Sequence, residues 1–399
     1  MGTPVQPQTR PRFVSNAPSL GFVPPFDGFR GMAVVLVVIV HAASEQLAGF
    51  APLVDVFFII SGFLITTLLL QEDRKDGSIN LREFFRRRAI RLFPVMYTVL
   101  LATLVGGLAF GDAKFRHEVL SDVGAAAIYM YHVIHPVNQT LVSGGLPPSR
   151  PLIQLWSLSV EEHFYLFGAL VTVLAVRFNK VKPLIAAFVG FWVFVCIARA
   201  TDHVGWDMMW YQRPDAIAIG VAGAFLNGLM PKELAESTVK RIRIAGGFGF
   251  FLLMFAMLSG TVLLKPFGLY VRSFPRVGSD ISKEFLWGQY GYSLANFGAA
   301  LMVVSLVRGG DWWLVRGMSG KLWRALGRRS YIIYLIHFPL AMILDQIGAQ
   351  HEKFQTLGGL LYVPLLIGST EFTHRFIEKP AVRYFRNRGR ATPTPTVTG

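Results

Sequence analysis

Residues 26–43 read FDGFRGMAVVLVVIVHAA. One arginine opens an otherwise apolar run, and one histidine sits deep inside it. Eleven residues at about 100° each make three turns with roughly 20° left over, so Arg30 and His41 share a helix face. At 1.5 Å per residue they lie about 16 Å apart along the axis. The run predicts a membrane helix with Arg30 at the cytoplasmic boundary and His41 near mid-membrane. A helix that only sits in lipid needs neither residue. An ionisable group inside a membrane is costly and marks a functional position by default. Histidine is also the side chain that trades a proton near neutral pH. The plain structural account is an arginine that snorkels from the helix end and a histidine satisfied by a neighbouring carbonyl.

The rest of the chain supports a lipid solvent. Of its 399 residues 53% are hydrophobic and 16% charged, 33 are Phe, and the mean hydropathy is +0.46, far from a soluble globule. A single cysteine, Cys196, excludes a disulfide framework or a cysteine-based metal site. The net charge of +15 does not point to nucleic acid. The Lys and Arg residues gather between the apolar runs, seven of them in residues 72–91, which is the pattern of positive cytoplasmic loops. The proline-rich leader and the many later spans favour an uncleaved first helix over a signal peptide.

Ten candidate spans follow: Gly31–Ala48, Leu53–Leu70, Ile90–Phe110, Ile153–Val176, Pro183–Ala200, Pro214–Met230, Ile244–Leu264, Tyr290–Val307, Ser330–Ala349 and Thr356–Ile377. Most are near the ~20 residues a bilayer needs. Val119–His135 is shorter and carries Asp122, His132 and His135. All the basic loops fall on one side only if this segment does not cross, so it is expected to be re-entrant or interfacial. The expected fold is an all-α polytopic membrane protein of about ten transmembrane helices plus that segment, both termini cytoplasmic. Residues 1–25 are expected as a disordered leader, 26–385 as one membrane domain and 386–399 as a disordered tail.

Three further stretches carry chemistry. LVDVFFIISGFLITTLLL (53–70) holds Asp55 and the pair Ser61-Gly62. Asp55 either partners a cation or favours the helix N-terminus, and Ser61 fits close helix packing better than a nucleophile. LREFFRRRAIRLFPVMY (81–97) places Arg88 and Arg91 on one face at i and i+3. That cluster suits a phosphorylated cytosolic ligand, because guanidinium grips phosphate oxygens two at a time. LIQLWSLSVEEHFYLF (152–167) gives Ser159 and Glu162 capping-box spacing, which leaves Glu161 unexplained. There a carboxylate holds an imidazolium or an acceptor hydroxyl. Trp156, Phe164 and Tyr165 read as interfacial belt residues or as a platform for a sugar ring. Later, His337 shares a face with Ser330 and Tyr334, as a satisfied core histidine or a channel contact. Glu371, His374 and Glu378 share another face without a matching Glu-x-x-His elsewhere. Arg213 and Asp215 either pair with each other or line an acceptor entrance.

In this order Arg-x10-His, DVFFIISGFLI, RRAIRLFP, LWSLSVEEHFYL, YQRPDAIAIGVAGAFL, RRSYIIYLIHFPL and FIEKP resemble acyltransferase family 3 over residues 26–385. The resemblance implies a membrane O-acyltransferase of the cell inner (plasma) membrane. It would move an acyl group, commonly acetyl, from cytosolic acyl-CoA to a hydroxyl of a carbohydrate, glycolipid or glycosylated natural product. It implies His41, Arg30 and Glu161 as catalytic, Arg88 and Arg91 at the CoA entrance, and Asp55, Ser61, Trp156, Glu162 and Tyr165 as acceptor or supporting residues, with no metal and no nucleic acid. Where many members have His and Gln in the WSL segment, this chain has Gln154 and His163, which bears on acceptor contacts. The rival reading from span count and buried charge is a transporter or exporter of a small molecule or lipid-linked substrate.

Overall fold

The computed structural model describes residues 12–43, 47, 49–135, 150–201, 214–272, 285–350 and 352–388. Every regular element among them is helical. The long helices are α1 (Pro24–Ala43), α2 (Leu53–Asp76), α3 (Leu81–Phe110) and α4 (Ala113–Ala127), followed by the single turn α5 (Tyr131–Ile134). Then come α6 (Leu155–Arg177), α7 (Val181–Thr201), α8 (Pro214–Leu229), α9 (Glu236–Ser259) and α10 (Gly291–Arg308). Short α11 (Trp313–Met318) leads to α12 (Lys321–Gln350), α13 (Glu352–Thr373) and, past a π-helical turn, α14 (Lys379–Arg388).

Among the described residues each of the ten segments expected to cross contains a helix, the first ending at Ala43. Eight helices among the described residues are long and apolar enough to span a bilayer by length and composition; α8, at 16 residues, is a shorter apolar helix. Polar caps set the ends at one pole. Gly77, at φ 73°, closes α2 by donating its N–H to the Asp73 carbonyl, a left-handed position that glycine takes without steric cost. Three residues on, the Asn80 side chain accepts the Glu83 N–H at 3.0 Å and starts α3. This tight turn faces Arg86, Arg87 and Arg88 to the same pole, called here the basic end.

The segment expected not to cross breaks in two. Asp112 caps α4 by accepting the Phe115 N–H at 2.7 Å, and Tyr129, at φ 57°, turns the chain into α5. Buried Asp122 holds this hairpin. It accepts from the Tyr131 hydroxyl at 3.0 Å and the Leu152 N–H at 3.1 Å, and pairs with Arg150.

Of the leader expected as disordered, residues 12–23 are packed. Phe13, Ser15 and Ala17 are buried. Arg12 pairs with Asp73, the Asn16 N–H donates to the Gly228 carbonyl at 2.8 Å, and Arg74 donates to the Ser19 hydroxyl at 2.8 Å. Apolar and cap-like residues in that stretch carry the signal, masked by its prolines.

In lipid the hydrophobic effect does not drive one helix onto another, so close backbone approach must do so. α1 lies along α12, where a Cβ on Gly31 would overlap the Trp323 carbonyl and one on Gly327 the Asp27 carbonyl. α2 lies along α8, where Gly62 and Gly220 let Ile217 and Ile59 approach in the same way. Around these seams packs one core, including Phe29, Val34, Phe58, Phe63, Phe225, Met302 and Leu335. The outer surface stays apolar, with Leu101, Phe167, Ile197 and Phe251 exposed as a lipid-facing surface requires.

Candidate active site

A cavity of about 1040 Å³ runs beside α2. Its lining extends from Val54 and Phe57 at one end of that helix to Lys75 and Asp76 at the other, a span of about 33 Å. It follows most of α2, while on α3 it reaches only from Glu83 to Leu92 and on α12 only from Ser330 to Tyr334.

The sequence-derived candidates divide around it. Arg30, Ser61, Arg88, Arg91, Glu161 and Tyr165 all line the cavity. His41, Asp55, Trp156 and Glu162 do not. Two of the guanidinium groups, those of Arg30 and exposed Arg91, have no hydrogen-bond or ion-pair partner among the described residues. The third is taken. Arg88 donates from Nε and Nη2 to Glu162 at 2.6–3.1 Å and lies 3.6 Å over the Tyr165 ring. Buried Tyr165 in turn donates its hydroxyl to Glu161. The expected pair of phosphate-gripping arginines at i and i+3 is thus one fixed cation and one free one, with Arg30 supplying a second free cation from α1.

Glu162 does not form a capping box. α6 begins at Leu155, so Ser159 and Glu162 already lie inside the helix, and the Ser159 hydroxyl donates to the Leu155 carbonyl at 3.2 Å. Buried spacing of one turn looks the same in sequence whether the helix starts there or earlier. Trp156 is neither a belt residue nor a sugar platform: it is 8% exposed and meets Phe58 edge-on at 6.1 Å. Asp55 is buried in the first turn of α2, at the positive end of the helix dipole. Asp215 pairs with Arg199 through two 2.9 Å bonds, while Arg213, its expected partner, lies outside the described residues. The Glu371, His374 and Glu378 face is occupied by ion pairs, Glu371 with Arg329 and Arg375, and His374 with Glu378.

His41 stands in the last turn of α1, which runs Pro24–Ala43, and so lies near the end of the helix and not at its middle. Its Nδ1 lies 2.8 Å from the Val37 carbonyl, and its ring is exposed. From α12, His337 reaches it with Nε2 at 3.3 Å from His41 Nδ1, and Phe338 covers one side at 5.2 Å. His337 is fully buried. Its neighbour Tyr334 lines the cavity and accepts His337 Nδ1 at its carbonyl, 2.8 Å away. The cavity wall and the histidine pair are thus about one helical turn apart on α12.

Sequence reasoning named the Ser330, Tyr334 and His337 face of α12 but not the partners that it meets on α6. Ser157 Oγ and the Tyr334 hydroxyl are 2.7 Å apart, and Tyr334 donates to the Gln154 carbonyl at 2.7 Å. Pro339 has no N–H to offer the Leu335 carbonyl one turn back, and the Gln154 amide donates to it instead at 3.3 Å. The signal was there: a proline inside an apolar helix needs an outside donor at membrane depth.

An acyltransferase-domain family model matches residues 24–370. The chain belongs to acyltransferase family 3. It is 27% identical over 371 residues to the O-acetyltransferase OatA of Staphylococcus aureus. It is 26% identical over 384 residues to the peptidoglycan O-acetyltransferase OatA of Listeria monocytogenes, and 28% over 374 to the putative peptidoglycan O-acetyltransferase YrhL of Bacillus subtilis. These alignments take in 90–92% of this chain but 55–57% of the relatives. The chain spans little more than half the length of the curated relatives it matches. No solved structure matches it. Arg30, Ser61, Arg88, Arg91 and Glu161 lie within the matched residues and line the cavity, while His41 lies within them and does not line it.

Proposed function

We propose that this acyltransferase moves an acetyl group from acetyl-CoA, bound at the basic end, to a hydroxyl of a cell-envelope carbohydrate at the opposite end. The chain would sit in the plasma membrane with both termini in the cytoplasm. The observation that carries the reading is a cavity along most of α2 with two guanidiniums, Arg30 and Arg91, that have no hydrogen-bond or ion-pair partner among the described residues. Unpaired cations in a confined cavity suit the phosphates of a nucleotide thioester.

The transfer needs the acceptor hydroxyl to lose a proton, its oxygen to bond the acyl carbon, and the thioester C–S bond to break. In this reading His41 Nε2, which has no partner among the described residues, takes that proton and returns it to the departing thiolate. Arg30, on the same helix, steadies negative charge on the donor side. Glu161, with Tyr165 hydrogen-bonded to it, borders the donor path. The OatA relatives favour a glycan acceptor because peptidoglycan is named for one of them.

The test is direct. Membranes carrying the chain, given acetyl-CoA labelled in the acetyl group and an envelope glycan fraction, should release labelled glycan ester. His41→Ala at equal abundance should lose at least ~100-fold in rate, the usual contribution of general acid–base catalysis. Substrate crossing vesicles with no acylated product would replace this reading with the transporter.

A further inference from the structure

We infer that His337 is the positioning residue that fixes which nitrogen of His41 is the base. The inference rests on the proposed function above. The argument is one of tautomers, and the distances determine them. His337 Nδ1 lies 2.8 Å from the Tyr334 carbonyl and 3.2 Å from the Ile333 carbonyl. Both partners only accept, so Nδ1 carries the proton and Nε2 of the neutral ring carries a lone pair. His41 Nδ1 likewise lies 2.8 Å from the Val37 carbonyl, so it too carries the proton. The remaining contact, His337 Nε2 to His41 Nδ1 at 3.3 Å, then runs from the His41 N–H to the His337 lone pair.

The order of the relay follows. Backbone carbonyls hold the His337 proton, His337 accepts from His41, and His41 is left with its lone pair on Nε2. When Nε2 takes a proton the ring becomes an imidazolium whose Nδ1–H is already received by Val37 and His337. A partner on the far nitrogen orients an imidazole and raises its basicity, the arrangement that second-shell acceptors give metal-bound and catalytic histidines. Here the acceptor is a neutral imidazole rather than a carboxylate. A carboxylate in the buried place of His337 would carry a net charge, whereas a second histidine adds none. Among the described residues His337 is the one titratable side chain hydrogen-bonded to His41; Phe338 and the Val37 carbonyl complete the contacts. His337 also stands in the region where Pro339 frees a backbone carbonyl, so the helix turn that presents it is itself held from outside by Gln154.

The experiment has a catalytic and a spectroscopic arm. His337→Phe keeps a flat ring and removes the acceptor. It should lower kcat by roughly 10- to 100-fold, the range typical of losing a second-shell partner, with donor and acceptor KM within about twofold. The acid limb of its kcat–pH profile should move to lower pH, because His41 left with the Val37 carbonyl as its one acceptor is a weaker base. His337→Gln, with an amide oxygen in place of Nε2, should recover most of kcat and return the limb toward that of the parent. Nitrogen-15 spectra of histidine-labelled protein in detergent, with His41 assigned by its loss in His41→Ala, should show Nδ1 protonated and Nε2 not. Unchanged kcat and an unmoved acid limb in His337→Phe overturn the inference, as does a His41 Nδ1 without a proton. If the parent transfers no acyl group at all, the proposed function fails and the nitrogen-15 arm alone decides the pair. If His337→Phe does not accumulate, the comparison of His337→Gln with the parent in both arms decides it.

Discussion

Arg88 lies flat on the Tyr165 ring, 3.6 Å from its centroid, and turns the Nε and Nη2 edge of its guanidinium on Glu162. A cation held by one face and one edge is part of the cavity wall, not a mobile hook for phosphate. The stacking and the two-point contact need the planar fork of arginine. Glu162→Gln should therefore lower stability by about 3 kcal/mol, because it leaves a mostly buried cation uncompensated. Arg88→Lys should destabilise as well, since an ammonium makes neither contact. Thermal denaturation in detergent checks both. A melting temperature for Glu162→Gln equal to the parent's would show the pair to be ornamental.

Arg91 carries the opposite expectation. Its guanidinium is exposed, lines the cavity and has no partner among the described residues, so removing it costs the fold little. Losing one charge-assisted contact to the donor is worth about 1.5–3 kcal/mol, or at least ~10-fold in KM. Arg91→Ala should raise the KM for the thioester donor by that factor with kcat and melting temperature nearly unchanged. Raising the salt concentration should narrow the difference. An acceptor KM that rises instead would move Arg91 to the other substrate.

The helices and the order of the motifs were legible from apolar periodicity and spacing alone, whereas Arg30 lines the cavity and His41, expected on the same face, does not. What was not legible is where each helix starts and what each buried group meets. The i, i+3 spacing of Ser159 and Glu162 suits a cap, yet α6 begins a turn earlier and Glu162 faces α3 instead. Asp215 is next but one to Arg213 in sequence, but its partner is Arg199, from the preceding helix. Arg88 and Arg91 share a face, and only the neighbour on another helix decides that one is bound and the other free. Long-range partners are set by packing, which a single sequence does not encode locally.

The seam between α1 and α12 positions both histidines of the pair. A Cβ on Gly327 would overlap the Asp27 carbonyl oxygen, and backbone cannot swing aside as a side chain can. Gly327→Ala should cost about 2 kcal/mol by overpacking and should lower kcat as well, since it pushes α1 away from the helix that carries His337. Gly190→Ala is the control: nothing lies within 4 Å of its Cβ position, and alanine is the better residue inside a helix. It should melt at or above the parent temperature. Equal melting and equal kcat for Gly327→Ala would mean that the seam can open without disturbing the site.

His132, in the turn of helix α5, supplies a pH dependence with a definite sign. Burial first, and then the neighbouring His163 imidazole 5.0 Å away, push its pKa from 6.5 down to about 4. In the unfolded chain the ring takes a proton near pH 6.5, while in the folded chain it resists until about 4. The unfolded state therefore binds more protons in that window, and stability rises with pH through it. The contribution is intact above pH 6.5 and is lost progressively as pH falls toward 4. Its buried Nδ1 has no hydrogen-bond partner among the described residues to offset the charge. His132→Asn, which does not titrate, should flatten the acid side of the melting-temperature curve in detergent between pH 7.5 and 4.5, while the two proteins should melt most nearly alike at the upper end. A parent curve that is level over this interval, or one whose slope survives the substitution, would place the acid sensitivity elsewhere, with His135 and its contact to Asp122 the next group to replace.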